Sequence, residues 1–413
     1  MTFRCVVVLL LAVVASPIHS HAGDWPQWRG PNRDDISTES GLLKEWSEGG
    51  PAKVWTSDDA GLGYSGIAVA DGVIYTMGAE EGTEFAVAIS AEDGQAIWKA
   101  PVGEFLSNNW GGGPRGTPTV AGDNLVCISG RGNVACLARK DGVVRWSVEM
   151  QELGGSTPNW GYTESPLVDG DHVICTPGGS KGTLACLSLA TGKKIWQASG
   201  ITSKAHYSSP IVVNHHGQKQ YIQLTVDKVF GVDAQSGDVL WQEAWPGRTA
   251  VIPTPIYHDG HVFVTSGYGV GCMLLKIGAD NSVQKIYENK VMKNHHGGVL
   301  LLDGFIYGHS DSVGIVCMDF KSGDLVWSDN KKNRSKGAVA YADGMLYCLE
   351  EGSGDCILAK ATPAGWEEVS RFRLEPQTQQ RSDRGKIWTH PVISNGKLYL
   401  RDQEILCCYD IAQ

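Results

Sequence analysis

CLSLATGKKIW, residues 186–196, is one of five copies of an eleven-residue unit that ends in tryptophan. The others are AISAEDGQAIW (88–98), CLARKDGVVRW (136–146), GVDAQSGDVLW (231–241) and CMDFKSGDLVW (317–327). Each copy carries a glycine four residues before the tryptophan: Gly94, Gly142, Gly192, Gly237 and Gly323. An apolar run, a turn residue that tolerates positive φ, and a second apolar run together read as a β-hairpin. The tryptophan is then a large wedge available to fill the space between neighbouring sheets.

A second pattern precedes each unit: a short strand opened by a small residue and proline, a turn, and a β-rich run. Examples are TPTVAGDNLVCIS (117–129), SPLVDGDHVICT (165–176), TPIYHDGHVFVT (254–265) and HPVISNGKLYL (390–400). The two patterns together give four strands, and the combined unit recurs roughly every 45 residues, the length of a propeller blade. Eight units begin near Tyr64, Arg115, Thr163, Tyr207, Ile252, His296, Lys336 and Trp388. The units at 252 and 336 are degenerate in their outer strand, with Tyr287 in place of tryptophan and Trp366 displaced. The eighth unit stops after Cys407-Cys408-Tyr409-Asp410, without its tryptophan strand, whereas Lys53-Val54-Trp55-Thr56 stands unpaired before the first. The expected fold is therefore all-β: an eight-bladed β-propeller of four-stranded antiparallel blades, occupying residues 51–413. An N-terminal strand completes the last blade, so no sheet edge is left open at the joint. Residues 23–50 are expected to form an extension packed on the propeller.

Composition agrees with this reading. The 413 residues include 52 glycines and 14 tryptophans, only 19% are charged, and no stretch sustains helical periodicity with capping signals. The net charge of −10 opposes nucleic acid or an anionic membrane as partner. Met1 to Ala22 reads as a signal peptide, with Arg4 ahead of an apolar run and Ser20-His21-Ala22 as the cleavage site. The run is too short to span a bilayer, and Cys5 precedes it, which argues against a lipoprotein anchor. A soluble, exported (periplasmic or secreted) chain is expected, monomeric because no oligomerisation signal stands out.

The tryptophan-ended unit resembles that of the pyrroloquinoline-quinone-like (PQQ-like) repeat family. This family includes PQQ-dependent alcohol dehydrogenases and an outer-membrane assembly propeller of the same fold without the cofactor. The resemblance covers roughly residues 50–413. DWPQWRGPNRD (24–34) is also similar to the opening of a group of exported PQQ-like repeat proteins. The resemblance implies the propeller architecture. For function it implies either a binding or assembly propeller, or a dehydrogenase with PQQ and Ca²⁺ acting on an alcohol or sugar.

In a propeller the loops entering the innermost strands approach the axis, where ligands usually bind. The eight residues that open the units form a first ring there. The next ring is small in seven places and His390 in the eighth. Nearby loops add Asn159, Trp160, Tyr162, Glu164, His206, Arg248 and His295. With Arg115, Tyr207, His296, Lys336, Trp388 and His390, these are the candidate ligand residues. Aromatic faces suit a flat molecule and cations suit its anionic groups. A small molecule or a protein segment is the expected occupant. A quinoprotein enzyme further needs oxygen ligands for Ca²⁺ and an aspartate base. Glu164, Asn159 and Asp383 are available, but in no matching motif, and no Cys-x-x-Cys-His carries a haem. His206, His296 and His390 approach from three blades without a ligand-spacing motif, so no metal is assigned. Cys127 and Cys175 share a strand column and can each oppose Cys136 or Cys186 across a hairpin. Buried thiols are the simpler reading. Cys407 and Cys408 are neighbours in a strand and point to opposite faces.

Overall fold

A computed structural model describes residues 23–329 and 336–413. The proposed signal peptide lies outside the described residues. Eight blades of four antiparallel strands follow one another along the chain, the seventh joined by Ile36–Ser37 as a parallel fifth strand, and no helix occurs among the described residues. Blade 1 runs from Ala68–Ala70 inside, through Val73–Glu80 and Thr83–Ser90, to Ala96–Glu104 outside. Blades 2 to 7 repeat that order, with inner strands Thr119–Ala121, Leu167–Asp169, Ile211–His215, Ile256–His258, Val299–Leu302 and Gly337–Ala342. Blade 8 takes three strands from the C-terminal region, Val392–Ser394, Lys397–Asp402 and Ile405–Asp410. Its fourth is Ala52–Ser57, antiparallel to the last of these, with Trp55 opposite Cys408. The ring is closed by that pairing.

The regularity of glycine and tryptophan has a steric cause. Trp55, Trp98, Trp146 and Trp196 each lie against the turn glycine of the following blade, Gly94, Gly142, Gly192 and Gly237. A Cβ added to any of these glycines would meet the indole at about 2.5–2.6 Å, and all four have positive φ. Each indole N–H donates to a carbonyl of that next blade: Trp55 to Ala91, Trp98 to Arg139, Trp146 to Leu189 and Trp196 to Ala234. In degenerate blade 5 the hydroxyl of Tyr287 donates to Phe320 O at 2.8 Å, and Gly323 again faces the ring. Tyrosine thus keeps both the wedge and the donor. Eight hydrophobic clusters result, one in each seam between blades.

Register settles the cysteines. Cys127 is opposite Ala135, and Cys136 is opposite Val126. Cys175 is opposite Ala185, and Cys186 is opposite Ile174. Each hairpin pair is therefore offset by one residue, which turns its side chains to opposite faces. Cys127 packs in the seam of blades 1 and 2, Cys136 in that of blades 2 and 3. The cross-hairpin bridges left open by the sequence are thereby excluded. All ten cysteines among the described residues are free and buried, and burial pushes these thiols up, Cys186 to about 12.

Residues 24–37 run through the axial opening. The Trp25 amide donates to Val69 O in blade 1, and Pro26 O accepts from Val120 in blade 2. Arg33 donates to Ser165 O and Pro166 O of blade 3 at 2.8 and 3.2 Å. Trp28 Nε1–H donates to Thr254 Oγ1, just before blade 5, at 3.0 Å. Arg29 donates to Val299 O of blade 6 at 2.6 Å. Ile36–Ser37 pairs in parallel with the inner strand of blade 7. Asp35 lies 3.0 Å from His390 Nδ1 of blade 8. One segment so ties seven blades together from the centre. The chain then continues through Leu42 and Trp46 into the core between blades 7 and 8.

Candidate functional site

Above Trp28 the axis opens into a cavity of about 270 Å³. Seven of the eight residues that open the blades line it: Tyr64, Arg115, Thr163, Tyr207, Ile252, His296 and Trp388. They converge because each immediately precedes an inner strand, whose small following residues let the backbones crowd the axis. A second, larger hollow of about 610 Å³ is a groove between the outer strands of blades 1 and 2, edged by Glu104, Arg131 and Glu149. The axial cavity is the better candidate, because its walls combine aromatic faces with enclosed polar atoms.

Seven of its fifteen lining residues are tryptophan or tyrosine. Tyr64 and Trp388 are in ring contact at 4.8 Å, Trp160 and Tyr207 at 5.6 Å. The Arg115 guanidinium lies 4.6 Å from the Tyr64 ring centre and 5.7 Å from that of Trp388. Its Nη2 donates to Gly111 O at 2.6 Å, while its buried Nε has no partner among the described residues. Burial lowers its pKa, but the group remains a cation near neutral pH.

His296 is 8% exposed. Its Nε2 lies 2.8 Å from Glu351 Oε2, which also accepts the Trp388 indole N–H at 2.9 Å. Burial opposes the Glu351 charge, but the hydrogen bond and charge of His296 prevail and hold the carboxyl at about 2. Glu351 is therefore ionised and accepts only, so Nε2 carries the imidazole hydrogen. His296 Nδ1 is buried without a partner among the described residues. His295 is held down to about 3, chiefly by burial and then by the charges of His296 and Lys336. It accepts from Lys336 Nζ at 2.8 Å, and Lys336 also lies 3.4 Å from Asp311.

The remaining sequence candidates lie elsewhere. Tyr162 is buried in the seam between blades 2 and 3 and donates to Pro177 O. Glu164 is buried beneath the wall, accepts the Thr176 amide at 2.5 Å, and is raised by burial to about 7. His206 accepts the Val251 amide at 2.9 Å and rests on Tyr207, and burial lowers it to about 4. Asn159 is exposed, with its carbonyl accepting from Asn108. Arg248 is exposed beside the lining residues Thr249 and Ala250. His390 is buried under the floor, in ring contact with Trp28 at 4.4 Å and 3.1 Å from His296 O. His206 and His390 thus serve separate contacts. Among the described residues no group of three or more His, Cys, Asp or Glu could hold a metal ion.

Three aromatic lining residues escaped the sequence reading, Trp28 on the floor, Trp110 and Tyr268, as did Thr249 and Ala250. Trp28 belongs to DWPQWRGPNRD, whose two tryptophans flag packing but have no repeat phase to place them. Trp110 and Tyr268 sit in loops outside both repeat patterns. The lining contains no carboxylate and no side-chain amide. A Ca²⁺-bound quinone requires roughly six to eight oxygen ligands, most of them from such groups. The residues present do not fit that cofactor.

No helix among the described residues is long and apolar enough to cross a membrane. A sequence comparison with curated proteins finds no match. Among solved structures, BamB from Moraxella catarrhalis superimposes with a TM-score of 0.59 at 15% identity, covering 84% of this chain and 94% of that one. The quinohemoprotein alcohol dehydrogenases ADHIIG from Pseudomonas putida HK5 and that from Comamonas testosteroni both give 0.64, at 12% and 11% identity. The first comparison covers 95% of this chain and the second 94%, and each covers 80% of the enzyme. At such identities these structures speak to the fold. The family model described as "Outer membrane protein assembly factor BamB" matches residues 39–152 and 83–329, and on that match, together with the eight-bladed ring, the chain belongs to the PQQ-like repeat family of β-propellers.

Proposed function

We propose that this propeller is a binding module whose site is the aromatic-walled cavity at the axial mouth. The observation that carries the reading is the lining itself: seven tryptophan and tyrosine side chains, Trp28 on the floor among them, together with Arg115. Aromatic walls hold the flat or apolar face of a ligand, and a few enclosed polar groups fix its orientation. The volume is below the roughly 300–1,000 Å³ of drug-sized pockets, so the occupant is a compact molecule or the tip of a longer one. The chain is read as acting outside the cytoplasm, on the strength of its leader.

The dehydrogenase reading is set aside because the lining offers no oxygen set for Ca²⁺. A second reading, an envelope assembly scaffold, draws on the family description. It also draws on aliphatic side chains exposed on outer strands or their turns, such as Ile97, Val143 and Leu325. Four tryptophans line the cavity, so intrinsic fluorescence reports its occupancy directly. A small-molecule panel that includes PQQ with and without Ca²⁺ is expected to contain a saturable quencher whose effect is lost in Trp160→Ala. If nothing in the panel binds, while a pull-down from envelope extracts recovers a partner that Leu325→Asp releases, the scaffold replaces the cavity reading.

A further inference from the structure

We infer that the inner hairpin of blade 5 carries a second site, in which His258 and His261 together bind a divalent transition-metal ion, copper in preference to nickel or zinc. The site lies at the far end of the inner strand from Ile252, away from the axial mouth, and stands independently of the cavity reading.

The turn reads His258-Asp259-Gly260-His261. Asp259 and Gly260 both have positive φ, 46° and 73°, the conformation of a two-residue hairpin turn. Such a turn sets its flanking residues directly opposite each other, and His258 is paired with His261. Directly opposed residues share a face, with Cβ atoms about 4.5–5.5 Å apart, a spacing that lets two imidazoles reach one ion at about 2.0–2.1 Å. The face is the one turned toward blade 6. There both rings meet Phe320 edge to face, at 5.8 and 6.3 Å between centres. Phe320 is only 2% exposed, so one immobile phenyl backs both imidazoles.

The turn also sets which nitrogen of His261 can bind. His261 Nδ1 lies 2.8 Å from Asp259 O. A carbonyl only accepts, so Nδ1 keeps a hydrogen and Nε2 is the atom that a metal ion can take, displacing a proton where one is bound. Imidazoles that ligate metals usually donate their other N–H to a carbonyl or carboxylate in this way. The Asp259 carboxylate, 3.4 Å from His258 Nε2, adds negative charge beside the pair.

The arrangement is peculiar to blade 5. The other seven inner hairpins place no two imidazoles opposite each other. Blade 3 opposes Asp169 to His172, but Asp169 already accepts from Lys219 and Tyr221. His215, on the neighbouring turn of blade 4, has its two nitrogens occupied by Tyr257 and Gly278 O. No cluster of three or more His, Cys, Asp or Glu among the described residues forms a cage, so water fills the remaining positions of the ion. Imidazole ligands suit copper, nickel and zinc, and copper binds most tightly of the three. Ca²⁺ and Mg²⁺ require oxygen ligands and are not expected to bind here.

The test titrates the untagged full chain with Cu²⁺, Ni²⁺, Zn²⁺ and Ca²⁺ by calorimetry, and records the electron paramagnetic resonance spectrum of bound Cu²⁺. One saturable Cu²⁺ site is expected, weakened at least tenfold by His258→Gln and by His261→Gln and unchanged by His216→Gln, which removes an exposed histidine of blade 4. The Cu²⁺ spectrum is expected to show two imidazole nitrogens in the parent chain and one in each of the first two variants. Thermal melts report that each variant is folded. Absence of a saturable Cu²⁺ site, equal binding by the parent and both hairpin variants, or a parent spectrum with a single nitrogen overturns the inference. So does an equal loss in His216→Gln, which would spread the ion over surface histidines.

Discussion

The two halves of the propeller axis differ in what fills them. Below Trp28 the axis is filled by the chain itself, and its buried charges are paired with one another or with carbonyls, although Arg29 Nη1, Arg33 Nε and Asp35 Oδ1 have no partner among the described residues. Arg29 donates to Asp35 and Val299 O, Arg33 to Gln27, Ser165 O and Pro166 O, and Asp35 accepts from both Arg29 and His390. Above Trp28 the wall keeps an unpartnered nitrogen on His296 and another on Arg115, and its aromatic rings face open space. Unpartnered atoms occur in both halves; what separates them is filling, since the lower half is packed by the chain itself and the upper half opens on a cavity. Stability should therefore depend on the lower half and recognition on the upper.

The largest effect that could break this contrast is expected from Asp35→Ala. It leaves Arg29 and His390 buried without their carboxylate, a loss of about 3–5 kcal/mol, measurable by urea unfolding. A loss below about 1 kcal/mol would mean that the axial segment is not the structural element described here.

Titration gives the next largest effect. Glu164, near Arg33, is raised by burial to about 7 from an ordinary value of 4.5. The folded state therefore binds its proton more tightly, so its contribution is full below pH 4.5 and is lost as pH rises through about 7. Asp35 acts in the opposite sense. Burial opposes its charge, but Arg29 and His390 lower its pKa overall, so its contribution is present above the carboxylate range and lost as pH falls. Glu164→Gln is expected to remove the loss between pH 4.5 and 7, by up to about 3 kcal/mol, while leaving the acid limb. Thermal melts across pH 3–8 check the sign.

Trp28→Ala should cost about 2 kcal/mol, because the ring contact with His390 and the bond to Thr254 are both lost. It should also deepen the cavity, so that a bulkier ligand gains relative to a compact one. The smallest stability effect is expected at the rim. Trp160→Ala should shift the unfolding free energy by no more than about 0.5 kcal/mol yet weaken ligand binding about tenfold, or 1.4 kcal/mol.

What the sequence disclosed follows the same division. The ring was legible because Gly94, Gly142 and Gly192 obey two constraints at once: positive φ, and no room for a Cβ above the preceding blade's indole. Such a doubly determined position recurs without drift, and alignment on it brings Tyr64, Arg115, Thr163, Tyr207, Ile252, His296 and Trp388 to the axis. Residues one step away turn elsewhere, as strand alternation requires: Tyr162 and Glu164 enter seams while Thr163 between them lines the cavity. The same one-residue parity separates Cys127 from Cys136. Trp28, Trp110 and Tyr268 were not legible as site residues, because each belongs to a segment with no repeat to give it a phase. Nor could spacing alone reveal that Glu351 fixes the His296 tautomer, since 55 residues separate them.

The pairing of Ala52–Ser57 with Ile405–Asp410 has a consequence for how the molecule comes apart. In an open array of repeats the terminal unit has one neighbour and frays first, so melting proceeds unit by unit. Here blade 8 borrows its outer strand from a point ahead of blade 1, and no blade is terminal. Releasing any one of them breaks two seams and leaves two apolar faces wet. Denaturation should consequently be a single cooperative event, with hydrogen exchange in all eight inner strands governed by one global opening.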